Sequence, residues 1–165
     1  MTGSQIERLY WRWCSLDQRQ KGFLDHRDLQ LPELLENPFG ERIIQLLLAE
    51  NRDERLSFPE FVTALARFSP PREKNIEINS RKAKLTFLFK IYDLENQDKL
   101  RPEMILAILE ALNDENKNEQ QGKDEVKKIF EEVDVENKGF ITFDDFYKAL
   151  IDHDIDQIMS FNFLN

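Results

Sequence analysis

The sequence predicts an all-α protein of four helix-loop-helix units in two paired lobes, with short two-residue β-bridges between paired loops. Three observations predict it. Apolar residues recur at helical spacing on both sides of polar stretches about a dozen residues long. The arrangement occurs four times along the chain. Gly22 and Gly139 fall at the same place in two of those stretches, in a chain that holds only 5 glycines.

In the first unit Leu9, Trp13 and Leu16 form a helical face that runs into Asp17, and Leu24 follows within the loop. Leu56, Phe61, Ala64, Leu65 and Phe68 match the second half of the next unit. Ser69-Pro70-Pro71 cannot continue a helix, so the polar stretch that follows reads as a linker until Asn79 or Ser80 caps the next helix. In the third unit Leu85, Leu88, Phe89 and Tyr92 share a face that leads straight into Asp93. Leu100, Ile105, Ile108, Leu109 and Leu112 resume the pattern beyond it. In the fourth, Val126, Ile129, Phe130 and Val133 precede Asp134, and Ile141, Phe146, Ala149 and Leu150 follow at the same offsets. The predicted organisation is a lobe over 1–69, a linker over 70–79, a lobe over 80–152 and an apolar tail over 153–165.

A twelve-residue polar loop between two helices is the EF-hand. Its positions 1, 3, 5, 7, 9 and 12 supply oxygens, position 6 turns sharply, and the apolar eighth residue pairs with the partner loop. On that register the loops span 17–28, about 49–60, 93–104 and 134–145. Leu24 then faces Leu56, and Leu100 faces Ile141.

A calcium loop gathers several anionic oxygens around a hard cation and closes the sphere with a bidentate Glu at position 12. In the first loop Asp17 is well placed, but Arg19 and Lys21 put cations at positions 3 and 5. In the second, Glu60 is a good twelfth residue, yet position 1 falls on Ala49 or, if one residue is inserted, on Leu48, and Glu54 replaces the turn glycine. In the third, Asp93, Glu95 and Gln97 resemble ligands, whereas position 12 is Met104, Pro102 stiffens the exit and Glu103 is one residue out of register. The fourth is the most nearly intact, with Asp134, Glu136, Gly139, Thr142 and Asp145 at positions 1, 3, 6, 9 and 12. Lys138 at position 5 counts against it, and Asp145 is a methylene shorter than Glu. Two readings stay open for that loop: a metal-free loop held by the strand pair and by Lys138, or a weak site for magnesium or calcium formed by Asp134, Glu136, Thr142 and Asp145. The expectation is no cofactor and calcium-independent action.

Composition excludes other classes. With 41% apolar residues the chain is globular, and its longest apolar run, Ile43 to Ala49, is interrupted by Gln45 and far short of the ~20 residues of a membrane span. No charged start precedes an apolar block, and glycine stands at position 3 rather than 2, which argues against a secretory signal and N-myristoylation. One cysteine, Cys14, suits a reducing compartment, the cytosol or nucleus. The net charge of -9 disfavours nucleic acid, and the acidity concentrates beyond residue 70. His26 and His153 have no nucleophile nearby in sequence, and no phosphate-cradling glycine loop or Gly-x-Ser-x-Gly is present, so no enzyme is predicted.

Residues Pro32 to Ile43, Pro-Glu-Leu-Leu-Glu-Asn-Pro-Phe-Gly-Glu-Arg-Ile, resemble the linker between the first two hands of the calcineurin B superfamily, and Asn37-Pro38 suits a helix cap and first turn. Further segments narrow the resemblance: Gln5-Ile6 through Leu9-Tyr10, Asn79-Ser80-Arg81, Leu85 through Leu94, and the tail from Asp154 to Met159 and on through Phe163-Leu164. Together they look most like the calcineurin B homologous proteins, including the tescalcin branch. The resemblance implies an all-helical subunit that holds an amphipathic helix of a larger protein in a hydrophobic groove across both lobes. The helix would be the juxtamembrane helix of a sodium/proton exchanger or, as for calcineurin B itself, a helix of a phosphatase catalytic chain. Attachment to a membrane would then run only through the partner. Three departures stand out: the family's N-terminal arm with its myristoylated glycine is missing, the first hand's exit helix is one residue short, and the last two hands lack key ligands.

The favoured expectation is therefore a constitutive binding subunit of the exchanger type. Its alternatives are a regulatory subunit of a calcineurin-like phosphatase and a structural adaptor in an unrelated complex. The expected groove is lined by Leu85, Leu88, Phe89, Ile105, Ile108, Leu109, Val126, Ile129 and Phe130, with Ile158, Met159 and Phe161 from the tail, which either packs on the C-terminal lobe or lies along the groove.

Overall fold

The computed structural model describes residues 3–68, 80–112 and 119–155. Among them are eight helices: α1 (Gly3–Leu16), α2 (Pro32–Leu35), α3 (Gly40–Ala49), α4 (Phe58–Ala66), α5 (Arg81–Tyr92), α6 (Pro102–Leu112), α7 (Glu119–Val133) and α8 (Phe143–Ala149). The only strands among the described residues, β1 (Lys99–Leu100) and β2 (Ile141–Thr142), form an antiparallel pair in which Leu100 stands opposite Ile141. Described residues fall into two compact units, one ending at Ser80 and the other starting at Arg81. The expected linker 70–79 and most of the expected tail lie outside the described residues, including Ile158, Met159 and Phe161. No helix among the described residues is long and apolar enough to cross a membrane.

In the first unit α1 packs on α4, with Phe58 edge-on to Tyr10 at 5.2 Å and to Trp13 at 5.9 Å between ring centres. Buried Ile43, Ile44, Leu47 and Leu48 make α3 the core helix. The two loops meet through Leu24 and Leu56, whose backbones exchange hydrogen bonds of 2.8 and 2.9 Å. Both side chains are buried, so the bridge fixes the loop register and seals the core in one step.

Two local departures have clear causes. The exit half of the first hand is a turn over 26–29 rather than a helix. Pro32 forces the residue before it out of the helical region, and Leu31 is extended at φ -81°, ψ 137°. Asn37 does accept the Phe39 N–H, at 2.9 Å, but α3 begins only at Gly40. There the helix start lies against α2: a Cβ on Gly40 would stand 1.9 Å from the Leu34 carbonyl oxygen.

In the second unit α5 is buried nearly all round, through Leu85, Phe87, Leu88, Phe89 and Ile91. Phe89, Leu100 and Ile141 form the inner cluster, with Ile105, Ile129, Phe130, Val133, Phe143 and Phe146 packed against it. The Arg81 guanidinium donates to the carbonyls of Leu150 (2.5 Å) and His153 (2.6 Å), which ties the start of α5 to the chain beyond α8.

Candidate functional site

The loops are built around buried aspartates. Asp17, Asp93 and Asp134 are each buried at loop position 1, and each accepts the backbone N–H groups of positions 5 and 6. Asp17 takes Lys21 and Gly22 at 2.9 and 2.7 Å, Asp93 takes Gln97 and Asp98 at 3.1 and 2.8 Å, and Asp134 takes Lys138 and Gly139 at 3.0 and 2.7 Å. A carboxylate is tolerable inside because these donors replace its water. To aim two successive N–H groups inward the chain turns left-handed at positions 4 and 6: Gln20 and Gly22, Asn96 and Asp98, Asn137 and Gly139 all have positive φ. The second loop has Ala49 at position 1 and lacks this core. Its Glu60 instead closes a capping box at the start of α4, accepting from the Ser57 N–H at 2.7 Å and hydroxyl at 2.6 Å.

In three hands a cationic side chain stands among the loop's own oxygens. Lys21 bonds Asp25 and lies 2.6 Å from Asp28, and Arg19 joins the same two carboxylates at 3.3 and 3.1 Å. Arg101 reaches Glu95 and Gln97, each at 2.6 Å. Lys138 lies 3.0 Å from Asp145, 3.3 Å from Glu136 and 4.0 Å from Asp134. The four residues singled out in the fourth loop are thus brought together: Asp145 also accepts the Thr142 N–H at 2.9 Å and hydroxyl at 2.6 Å. The Thr142 hydroxyl, helped by Lys138, holds the Asp145 carboxyl down at about 2. Asp25 is likewise held at about 2, chiefly by the Lys21 hydrogen bond.

An open apolar groove of about 450 Å³ runs between α6 and α7, lined by Pro102, Glu103, Leu106, Lys123, Val126, Lys127 and Phe130. Of the residues expected to line a groove, Val126 and Phe130 face it. Leu85, Leu88, Phe89 and Ile108 belong to the interior, between 0% and 6% exposed. Ile105 and Ile129 pack on the inner cluster, and Leu109 is half-buried. Pro102, Glu103, Leu106 and the two lysines were missed. Their signal is a second set of i, i+4 pairs, Pro102 with Leu106 and Lys123 with Lys127, rotated away from the core pair Met104 and Ile108.

Residues 82–151 match the family described as an EF-hand domain pair. Similar along most of the chain are the type 2 calcineurin B of Dictyostelium discoideum, 34% identical over 88% of this chain and 76% of that protein, and the calcineurin B of Naegleria gruberi, 30% identical over 96% of this chain and 86% of that protein. The calcineurin B of Kluyveromyces lactis is 30% identical over 88% of this chain and 79% of that protein.

These relationships correct one expectation. No cofactor was expected, beyond weak magnesium or calcium in the fourth hand. A match to an EF-hand pair, a module whose loops are built to gather oxygens around calcium, and the similarity to calcineurin B proteins stand against that expectation. The oxygens that bear on it in the fourth hand are those of Asp134, Glu136, Thr142 and Asp145. As the loop stands, Lys138 engages three of these four residues, which is not the open oxygen set a divalent ion requires.

Proposed function

The chain belongs to the calcineurin B family of EF-hand proteins, and from that premise we propose that it is the regulatory subunit of a calcineurin-like phosphatase, holding an amphipathic helix of the catalytic chain. The relatives favour this over the exchanger-type reading, because the three named above, each aligned along most of this chain, are calcineurin B proteins. The observation that carries the mode of binding is the α6–α7 groove. Pro102, Leu106, Val126 and Phe130 offer a continuous apolar floor, while Glu103, Lys123 and Lys127 stand at its rim. A helix with apolar residues at i, i+3, i+4 and i+7 suits such a floor, and the rim orients its polar flank. Catalysis belongs to the partner chain in this reading, and the cytosol is where the two chains meet.

Co-purification tests the proposal. The tagged full chain, expressed in its own cells, should retain a calcineurin-type catalytic chain in stoichiometric amount. Recovery of an exchanger instead, with no phosphatase chain, would return the assignment to the exchanger type.

A further inference from the structure

Hands one and four share a feature that an ion-binding loop does not call for. In each, position 5 is a lysine whose ammonium is drawn inward, onto the carboxylates of positions 9 and 12 in the first loop and of positions 3 and 12 in the fourth. These are positions from which an EF-hand supplies oxygens to calcium. Lys138 is the clearer case. It lies between Glu136 on the entering side of the loop and Asp145 in the first turn of α8, so it closes the loop onto its exit helix as a position-12 carboxylate does around an ion. It is also largely withdrawn from water, with 23% of its side chain exposed.

We propose that Lys138 is the resident counter-cation of the fourth hand: it holds α8 to the loop in place of a divalent ion, and while it stays there the loop's oxygens do not fit calcium. With Lys138 on Asp145 and Glu136, at 3.0 and 3.3 Å, their oxygens are not open to a divalent ion. Its single charge also offsets one of the three carboxylates of Asp134, Glu136 and Asp145. Both effects lower affinity, since ligand charge count tunes an EF-hand over decades. The proposal takes calcium from the family relationship and involves no partner, so it and the phosphatase reading fail independently.

The experiment is a calcium titration of the full chain by isothermal calorimetry, after chelator treatment, on Asp145→Glu alone and on Lys138→Met/Asp145→Glu, since methionine removes the charge without adding an oxygen at position 5. The first change supplies a bidentate twelfth residue, so the pair isolates the lysine. The double variant should bind calcium at least about tenfold more tightly than the single one, and Lys138→Arg/Asp145→Glu, which keeps the charge, should show no such gain. Melting temperature gives a second reading. In chelator Lys138→Asn should melt below the parent and recover on adding calcium, whereas Lys138→Met should melt low and stay low. Equal calcium affinity with and without the lysine, or an equal gain from arginine, overturns the proposal, as does a Lys138→Met variant that melts with the parent in chelator.

Discussion

Gly40→Ala should destabilise the protein, although helix propensity alone predicts the reverse. Replacing a helical glycine by alanine ordinarily stabilises by up to about 1 kcal/mol, because alanine has fewer unfolded conformations to lose. Here the added methyl carbon would stand 1.9 Å from the Leu34 carbonyl oxygen and 2.7 Å from its carbon. Both are backbone atoms of α2, which cannot rotate aside as a side chain can. Restoring van der Waals contact requires α3 to move off α2 by more than an ångström, and overpacking of that kind costs about 1–3 kcal/mol. The buried Ile43 and Ile44, one turn further on, would move with it. An approach of 1.9 Å to backbone belongs at the upper end of that cost, a net loss of about 2 kcal/mol after the propensity gain. For a unit of about 80 residues each kcal/mol lowers Tm by about 4–8 °C, so circular dichroism at 222 nm should show Gly40→Ala melting about 8–16 °C below the parent. Gly3→Ala is the control, since nothing lies within 4 Å of its Cβ position, and it should be neutral or slightly stabilising. A Gly40→Ala protein as stable as Gly3→Ala would refute the packing of α3 on α2.

Leu100→Ala removes a fully buried side chain from the β1–β2 pair and should cost about 2–5 kcal/mol in urea unfolding. Leu106→Glu places a charge on the groove floor outside the inner cluster. It should weaken capture of the catalytic chain at least about tenfold with little change in Tm, whereas equal capture would show that the α6–α7 groove is not used. Acid should destabilise the calcium-free protein. The Asp25 carboxyl is depressed from 3.8 to about 2, so its contribution is complete above the unfolded value and is lost as pH falls from about 4 toward 2. Tm measured across that range should fall less steeply for Lys21→Met, which takes away the chief cause of the shift.

The architecture was legible in the sequence because the EF-hand writes itself at fixed spacing. A position-1 aspartate and an apolar residue at position 8 sufficed to pair Leu100 with Ile141, and in the second hand, where position 1 is Ala49, the apolar eighth residue and Glu60 at position 12 carried the register that pairs Leu24 with Leu56, as found. The first hand's exit was less legible, since helical periodicity near Asp28 competes with the proline at 32, and the proline wins. The groove was read only in part, for a reason in the helix geometry. In α6 the side chains of Met104 and Ile108 go to the core, while Pro102 and Leu106, two residues out of phase, face the opening. Both sets are apolar, so hydrophobicity alone does not separate them. In α5 almost every apolar residue is interior, which is why Leu85, Leu88 and Phe89 are core rather than lining. The loops were instructive in the other direction. Position by position the ligands looked depleted, and the cations at 19, 21 and 138 counted against an ion; folding turns each toward an oxygen of its own loop, as one of the two readings of the fourth loop had it for Lys138, and brings Arg101, which the spacing did not single out, onto Glu95 and Gln97. Side-chain reach of that kind is not visible in spacing. The case against a chain with no cofactor came from the EF-hand match and the relatives rather than from counting carboxylates.

The most direct test of the account is a titration of the full chain, in calcium, with two synthetic helices: the segment of a calcineurin-type catalytic chain that meets its calcineurin B, and the juxtamembrane helix of a sodium/proton exchanger. The phosphatase helix should bind at least about tenfold more tightly, a difference of about 1.4 kcal/mol, and Leu106→Glu should remove that preference. Equal or tighter binding of the exchanger helix, or a preference that survives Leu106→Glu, would contradict the assignment of the chain as a phosphatase subunit acting through this groove.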